Sequence, residues 1–103
     1  MEFNIVWSKF AEYQIDNIYD YYNRNATNKV ALNIVREIIK SVDILKTSQF
    51  IGKREELLVD RVLEYRRLIH KNYKIIYTID TKEKSIKISD VFDMRQNPIK
   101  IKQ

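Results

Sequence analysis

Between Tyr65 and Asp80 the chain reads YRRLIHKNYKIIYTID, and this stretch limits the fold more than any other. Two runs rich in β-branched and aromatic residues flank Lys71-Asn72, the pattern of a β-hairpin closed by a two-residue turn. Asparagine tolerates positive φ, although lysine at the first turn position is a weaker signal than Asn-Gly. Such a turn fixes the register. His70 faces Tyr73, Ile69 faces Lys74, Leu68 faces Ile75, Arg67 faces Ile76 and Arg66 faces Tyr77. Side chains alternate along a strand, so one face holds Arg66, Leu68, His70, Tyr73, Ile75, Tyr77 and Ile79. The other holds Tyr65, Arg67, Ile69, Lys74, Ile76, Thr78 and Asp80. The first face is the more apolar and is assigned to the core, because an unpaired Lys74 or Asp80 buried there would cost several kcal/mol. Arg66 then falls at the core rim, snorkelling out or paired with a carboxylate. A one-residue slip would exchange Arg66 and Arg67 between the faces.

The rest of the chain supplies partners for that hairpin. FNIVW at the start alternates and is expected to be a strand, with Phe3, Ile5 and Trp7 on one side. Ser8 offers an N-cap, and from Lys9 to about Asn25 the residues Ala11, Ile15, Ile18, Tyr19 and Tyr22 recur at helical spacing. A turn at Asn23–Ala26 leads to a second helix capped by Thr27 or Asn28, with the stripe Ala31, Ile34, Val35, Ile38, Val42 and Leu45. Two helices so closely joined form an antiparallel pair. Ser48–Glu56, with the only glycine, Gly52, is expected to be a loop, and Leu57–Leu63 fits neither pattern. Tyr65–His70, Tyr73–Asp80 and Ser85–Phe92 form a meander, and Asp93–Gln103 is a polar tail. The expected architecture is α+β, one domain over residues 1–103. In order β-α-α-β-β-β, a helix hairpin packs on one face of a mainly antiparallel four-stranded sheet.

Composition narrows the chemistry. The chain has no cysteine and one histidine among 103 residues, which excludes thiolate chemistry and disfavours structural zinc. There is no phosphate-cradling glycine loop and no Ser-His-Asp pattern. Asp16 and Asp20 lie one helical turn apart but have no histidine near them, so no metal or other cofactor is expected. No apolar run approaches a membrane span and no leader is evident, so a cytoplasmic protein without a membrane partner is expected. Residues 1–52 hold six Lys/Arg and six Asp/Glu, whereas residues 53–103 hold thirteen and eight. The whole excess of +5 lies in the C-terminal half, which points to an acidic partner or to solvated surface charge. On the open face, Arg67 and Lys74 stand among Tyr65, Ile69 and Ile76, the make-up of a nucleic-acid or peptide platform or of a solvated sheet face. His70 sits at the turn, where a surface role is more common than acid–base catalysis. Any catalysis would rest on Arg, Lys and Tyr, which can position a phosphodiester and stabilise charge as its 2′-oxygen attacks.

YRRL, NYKIIY and RQNP, together with the first-helix segment IDNIYDYYNRN, resemble the RelE/ParE superfamily of toxins from bacterial type II toxin–antitoxin pairs. The resemblance spans nearly the whole chain. It implies a growth inhibitor neutralised by a cognate antitoxin that wraps the helix hairpin and sheet, with no small-molecule substrate. Tyr65, Ile69, Ile76 and Tyr21 are the expected partner-binding residues. The family divides between ParE-like poisons of DNA gyrase and RelE-like endonucleases that cut mRNA on the ribosome. For the second activity the resemblance places Arg67 (Arg66 on a register slip), Lys74 and Arg95 at the catalytic positions, without a metal. After Arg95, however, QNPIKIKQ contains neither the Tyr nor the His that RelE-like members use. The RQNP ending and the IYDYY helix lean toward the ParE branch. A non-toxic binding module is the third alternative.

Overall fold

The computed structural model describes residues 2–55 and 64–95. Leu57–Leu63 and the tail beyond Arg95 lie outside the described residues. The elements are β1 (Asn4–Trp7), α1 (Lys9–Asn25), α2 (Asn28–Val42), β2 (Lys53–Arg54), β3 (Arg66–His70), β4 (Tyr73–Asp80) and β5 (Ser85–Asp93). A 3₁₀ turn, Asp43–Lys46, extends α2. Both helices start at the expected caps. The Ser8 hydroxyl accepts from the Ala11 N–H at 3.0 Å and the Thr27 hydroxyl from the Val30 N–H at 3.1 Å, each satisfying one of the unpaired donors of a first helical turn. Among the described residues no helix is long and apolar enough to cross a membrane.

Among the described residues the sheet has five strands, in the order β1-β5-β4-β3-β2. β1 runs parallel to β5, and the other pairs are antiparallel. Ser48–Glu56, expected as a loop in a four-stranded fold, instead contributes a fifth, two-residue edge strand, with Lys53 opposite Arg67 and Arg54 opposite Arg66. Nothing in the charged Lys53-Arg54 pair announces a strand, since these residues pair only because tertiary packing delivers them to the β3 edge.

The hairpin register is the one its turn dictates, from His70–Tyr73 through Arg66–Tyr77. The left-handed residue is Lys71, at φ 54°, and not the asparagine that would tolerate it better. Tyr73, Ile75 and Tyr77 face the helices and are buried with Ile86, Ile88 and Val91 of β5, beneath Ala11, Ile38, Val42 and Leu45. Each buried Ile or Leu there contributes about 1.5–3 kcal/mol. Ile88 and Val91 can both face inward because β5 carries a bulge. Ile76 lies opposite Asp90 and Tyr77 opposite Ile88, leaving Ser89 as the extra residue.

Candidate functional site

The sheet face away from the helices was expected to be open, and it is only partly so. Ile76 is only 1% exposed, packed with Tyr65 and Phe92. Its assignment to a partner-binding surface is therefore corrected. Ile76 anchors a small second core with those two rings, while β2 and the residue after it lie at the β3 edge of the sheet. Ile69 and Tyr21 remain exposed, and Tyr65 is half-buried.

That residue after β2 is Glu55, which no sequence pattern singled out. Its N–H donates to the Tyr65 carbonyl at 2.8 Å, which continues the β2–β3 ladder one step. Its side chain is 3% exposed, and the carboxylate lies 3.2 Å from Lys74 Nζ and 3.8 Å from Arg67 Nη1. The structure thus brings Lys74 and Arg67 together on one internal anion. Lys74 Nζ also stands 5.8 Å from the centre of the Phe92 ring, within cation–π range, and Arg67 Nη1 donates to the Arg54 carbonyl. Arg66 is at the rim, as the register required. Its guanidinium donates to the Gly52 carbonyl at 2.6 Å, pairs with Glu64 at 2.8 Å and covers the Phe50 ring at 5.0 Å. These contacts dock the loop before β2 onto β3.

Arg95 is not brought to this cluster. Just beyond β5 on the helix side, it forms a forked pair with Asp93, its Nε 2.9 Å from Oδ1 and 3.0 Å from Oδ2. The guanidinium holds the Asp93 carboxyl far down, at about 2. Asp93, with Tyr22 as the next cause, raises the Arg95 pKa in turn. The Tyr73 hydroxyl donates to that of Tyr22 at 3.2 Å. Burial, then the Tyr22 hydrogen bond, pushes the Tyr73 hydroxyl well above its ordinary range. Tyr21, Tyr22, Arg24, Tyr73, Asp93 and Arg95 line an open groove of about 680 Å³.

Two further groups are spoken for. His70 Nε2 lies 3.3 Å from Glu37 on α2, and Lys71 Nζ lies 2.9 Å from the same carboxylate, so the turn is tied to α2 and the lone histidine has a structural partner. Asp90, beside the bulge, accepts from Gln14 Nε2 at 3.0 Å; burial pushes its carboxyl up and the Gln14 bond offsets part of that. Among the described residues no group of His, Asp or Glu could hold a metal ion. The break in alternation at Ile86, Ile88 and Val91 was a legible signal for the bulge, whereas Glu55 had none.

A family model described as the ParE toxin of the type II toxin–antitoxin system parDE matches residues 5–98. Among solved structures the chain is similar to the chromosomal ParDE system of P. aeruginosa, with TM-score 0.73 and 21% identity over 89% of this chain and 96% of that one. It is similar to the RelBE2 toxin–antitoxin complex of Mycobacterium tuberculosis, with TM-score 0.57 and 13% identity over 90% and 92% of the two chains. It is also similar to the RelE–RelB complex of Pyrococcus horikoshii OT3, with TM-score 0.50 and 18% identity over 94% and 100%. At these identities the likeness is one of fold. A search of curated proteins found no match.

Proposed function

Because the chain belongs to the ParE toxin family of type II toxin–antitoxin systems, we propose that it is a growth-inhibiting cytoplasmic toxin that acts by protein–protein contact on DNA gyrase, neutralised by a cognate antitoxin. The observation that favours this over mRNA cleavage is the state of the three basic side chains a RelE-like nuclease would use. Lys74 and Arg67 share the buried carboxylate of Glu55, and Arg95 is paired with Asp93 on the helix side of the sheet. Cleavage needs cations aimed at the charge that develops on the phosphate, and a group to move a proton. Here the cations are answered by carboxylates, the one histidine is engaged with Glu37, and residues 96–103 hold no Tyr or His.

A surface that works by contact needs exposed side chains on rigid elements. Tyr21, Phe10 and Tyr13 on α1 and Ile69 on β3 provide them. Purified protein should block gyrase supercoiling at concentrations that arrest growth, while programmed ribosomes exposed to it keep their mRNA intact. Undisturbed supercoiling at toxic doses would overturn the assignment. Ribosome-dependent cleavage abolished by Lys74→Ala or Arg95→Ala would establish the nuclease in its place.

A further inference from the structure

At the end of the sheet opposite β2, β1 has no strand along its outer edge among the described residues. The Asn4 and Ser8 amides donate inward, to the Lys84 and Ile88 carbonyls, whereas the Phe3 amide donates the other way, to the Lys46 carbonyl at 2.8 Å. Backbone groups alternate along a strand, so the amides of Ile5 and Trp7 point to the outer edge. Such an edge is a template for a further strand. An apolar trench runs beside it. Trp7 and Ile39 are a common wall of two open grooves, of about 470 and 400 Å³, which extend to Val42 on one side and Ile15 on the other. Ile39 is 44% exposed. The rim carries Glu2, Glu12, Asp16 and Asp43 against one cation, Lys46, which pairs with Asp43 at 3.7 Å. In a chain of net charge +5 this edge is acidic. A second β1 brought against it would set carboxylates against carboxylates.

An acidic, apolar strand edge is complemented by an extended segment that alternates apolar and basic residues. The sequence holds one beyond the described residues, where Pro98 is followed by Ile99, Lys100, Ile101 and Lys102. We propose that this segment of a second copy adds to the outer edge of β1, with Ile99 and Ile101 in the trench against Trp7 and Ile39, and that two copies exchange their segments in this way. The lysine stems are long and flexible and bring their ammonium groups to either rim. Reach decides that the exchange is between copies. β5 runs on from Ile88, the partner of Trp7, to Asp93, about 17 Å at the rise of a strand. From Arg95 to Ile99 the chain spans at most about 14 Å, and it starts on the far side of α1, beside Tyr21 and Tyr22. The segment therefore falls short of the β1 of its own chain. A reciprocal exchange is two-fold and closed, so assembly stops at the dimer. The inference is independent of gyrase and holds for any target.

The test is sedimentation equilibrium on the full chain. The wild type should show a monomer–dimer equilibrium that weakens as salt rises. Ile39→Asp in the trench, and Ile99→Asp with Ile101→Asp in the segment, should each raise the dissociation constant about tenfold or more, the loss expected when an isoleucine is no longer buried at the contact. Circular dichroism checks that both variants are folded. Mixed in equal amounts they should recover a dimer, because one variant keeps a sound trench and the other a sound segment. A synthetic peptide of residues 97–103, NPIKIKQ, in excess should convert the wild-type dimer to monomer, and the same peptide with serine for both isoleucines should not. Four results would overturn the inference: a wild type that stays monomeric, a dimer indifferent to both variants, folded variants whose mixture forms no dimer, or a wild-type dimer that survives saturating peptide. Should a variant fail to fold, the peptide competition on the wild type decides.

Discussion

At the scale of single residues, Gly52 shows how little of a site's geometry a loop sequence discloses. Its φ is not positive, so conformational freedom is not the reason for glycine. Space is: a Cβ would lie 2.5 Å from both the Arg67 carbonyl oxygen and the Tyr77 hydroxyl. Gly52→Ala should lower stability by about 3 kcal/mol, the upper end for overpacking, seen as a fall in the urea midpoint. The Tyr77 hydroxyl accepts from the Gly52 N–H at 3.0 Å and donates to the Gln49 carbonyl at 2.8 Å. Tyr77→Phe should therefore cost about 1–3 kcal/mol by leaving buried polar groups unpaired. The two carboxylates of β5 respond to pH in opposite senses. Asp93 is held at about 2 in the folded chain, chiefly by Arg95, so its stabilisation is full above the ordinary carboxylate range and is lost as pH falls toward that value. Asp90 is raised by burial, so its contribution is favourable at low pH and is lost as pH rises through its folded pKa. Asp93→Asn should flatten the acid limb of a stability–pH profile. Asp90→Asn, which can still accept from Gln14, should raise stability at neutral pH, with the gain vanishing in acid.

At the scale of elements, caps and turns carry information that the sequence states openly. Ser8 and Thr27 sit one residue before their helices, where a short hydroxyl can bond back to the third amide on. Thr27→Ala should cost about 1 kcal/mol. Ser8→Ala should cost more, because the same hydroxyl also donates to the Ser89 carbonyl at 3.2 Å and so ties α1 to the bulge of β5; thermal melts followed by circular dichroism would rank the two. The β3–β4 register is read from a two-residue turn and the alternation of Tyr73, Ile75 and Tyr77, with a one-residue slip left open that the observed pairing of Arg66 with Tyr77 closes. β2 was not legible. It has two charged residues, no alternation and no turn of its own, and it becomes a strand only because Arg66 and Tyr77 draw the Gln49–Gly52 loop against the β3 edge.

At the scale of the whole molecule, the fold is a scaffold on which two basic centres face different ways. Arg67 and Lys74 are closed over Glu55 on one side, while Arg95 opens onto the Tyr21–Tyr22 groove on the other. If the protein works by contact with gyrase, induction in cells should raise markers of DNA breakage before translation slows, and reporter assays run in parallel would register the order. The reverse order would favour the ribosome. The sequence alone determined the helix hairpin, the meander and the inward face of the hairpin, because these follow from local periodicity, caps and turn length; the resemblance to a toxin family rests on the motifs YRRL, NYKIIY and RQNP. Tertiary structure alone decided that the outer sheet face is partly closed and that its cations have an internal counter-ion. Those facts depend on where a segment without periodicity, Lys53–Glu55, comes to rest, and contacts between residues distant in the chain set that position.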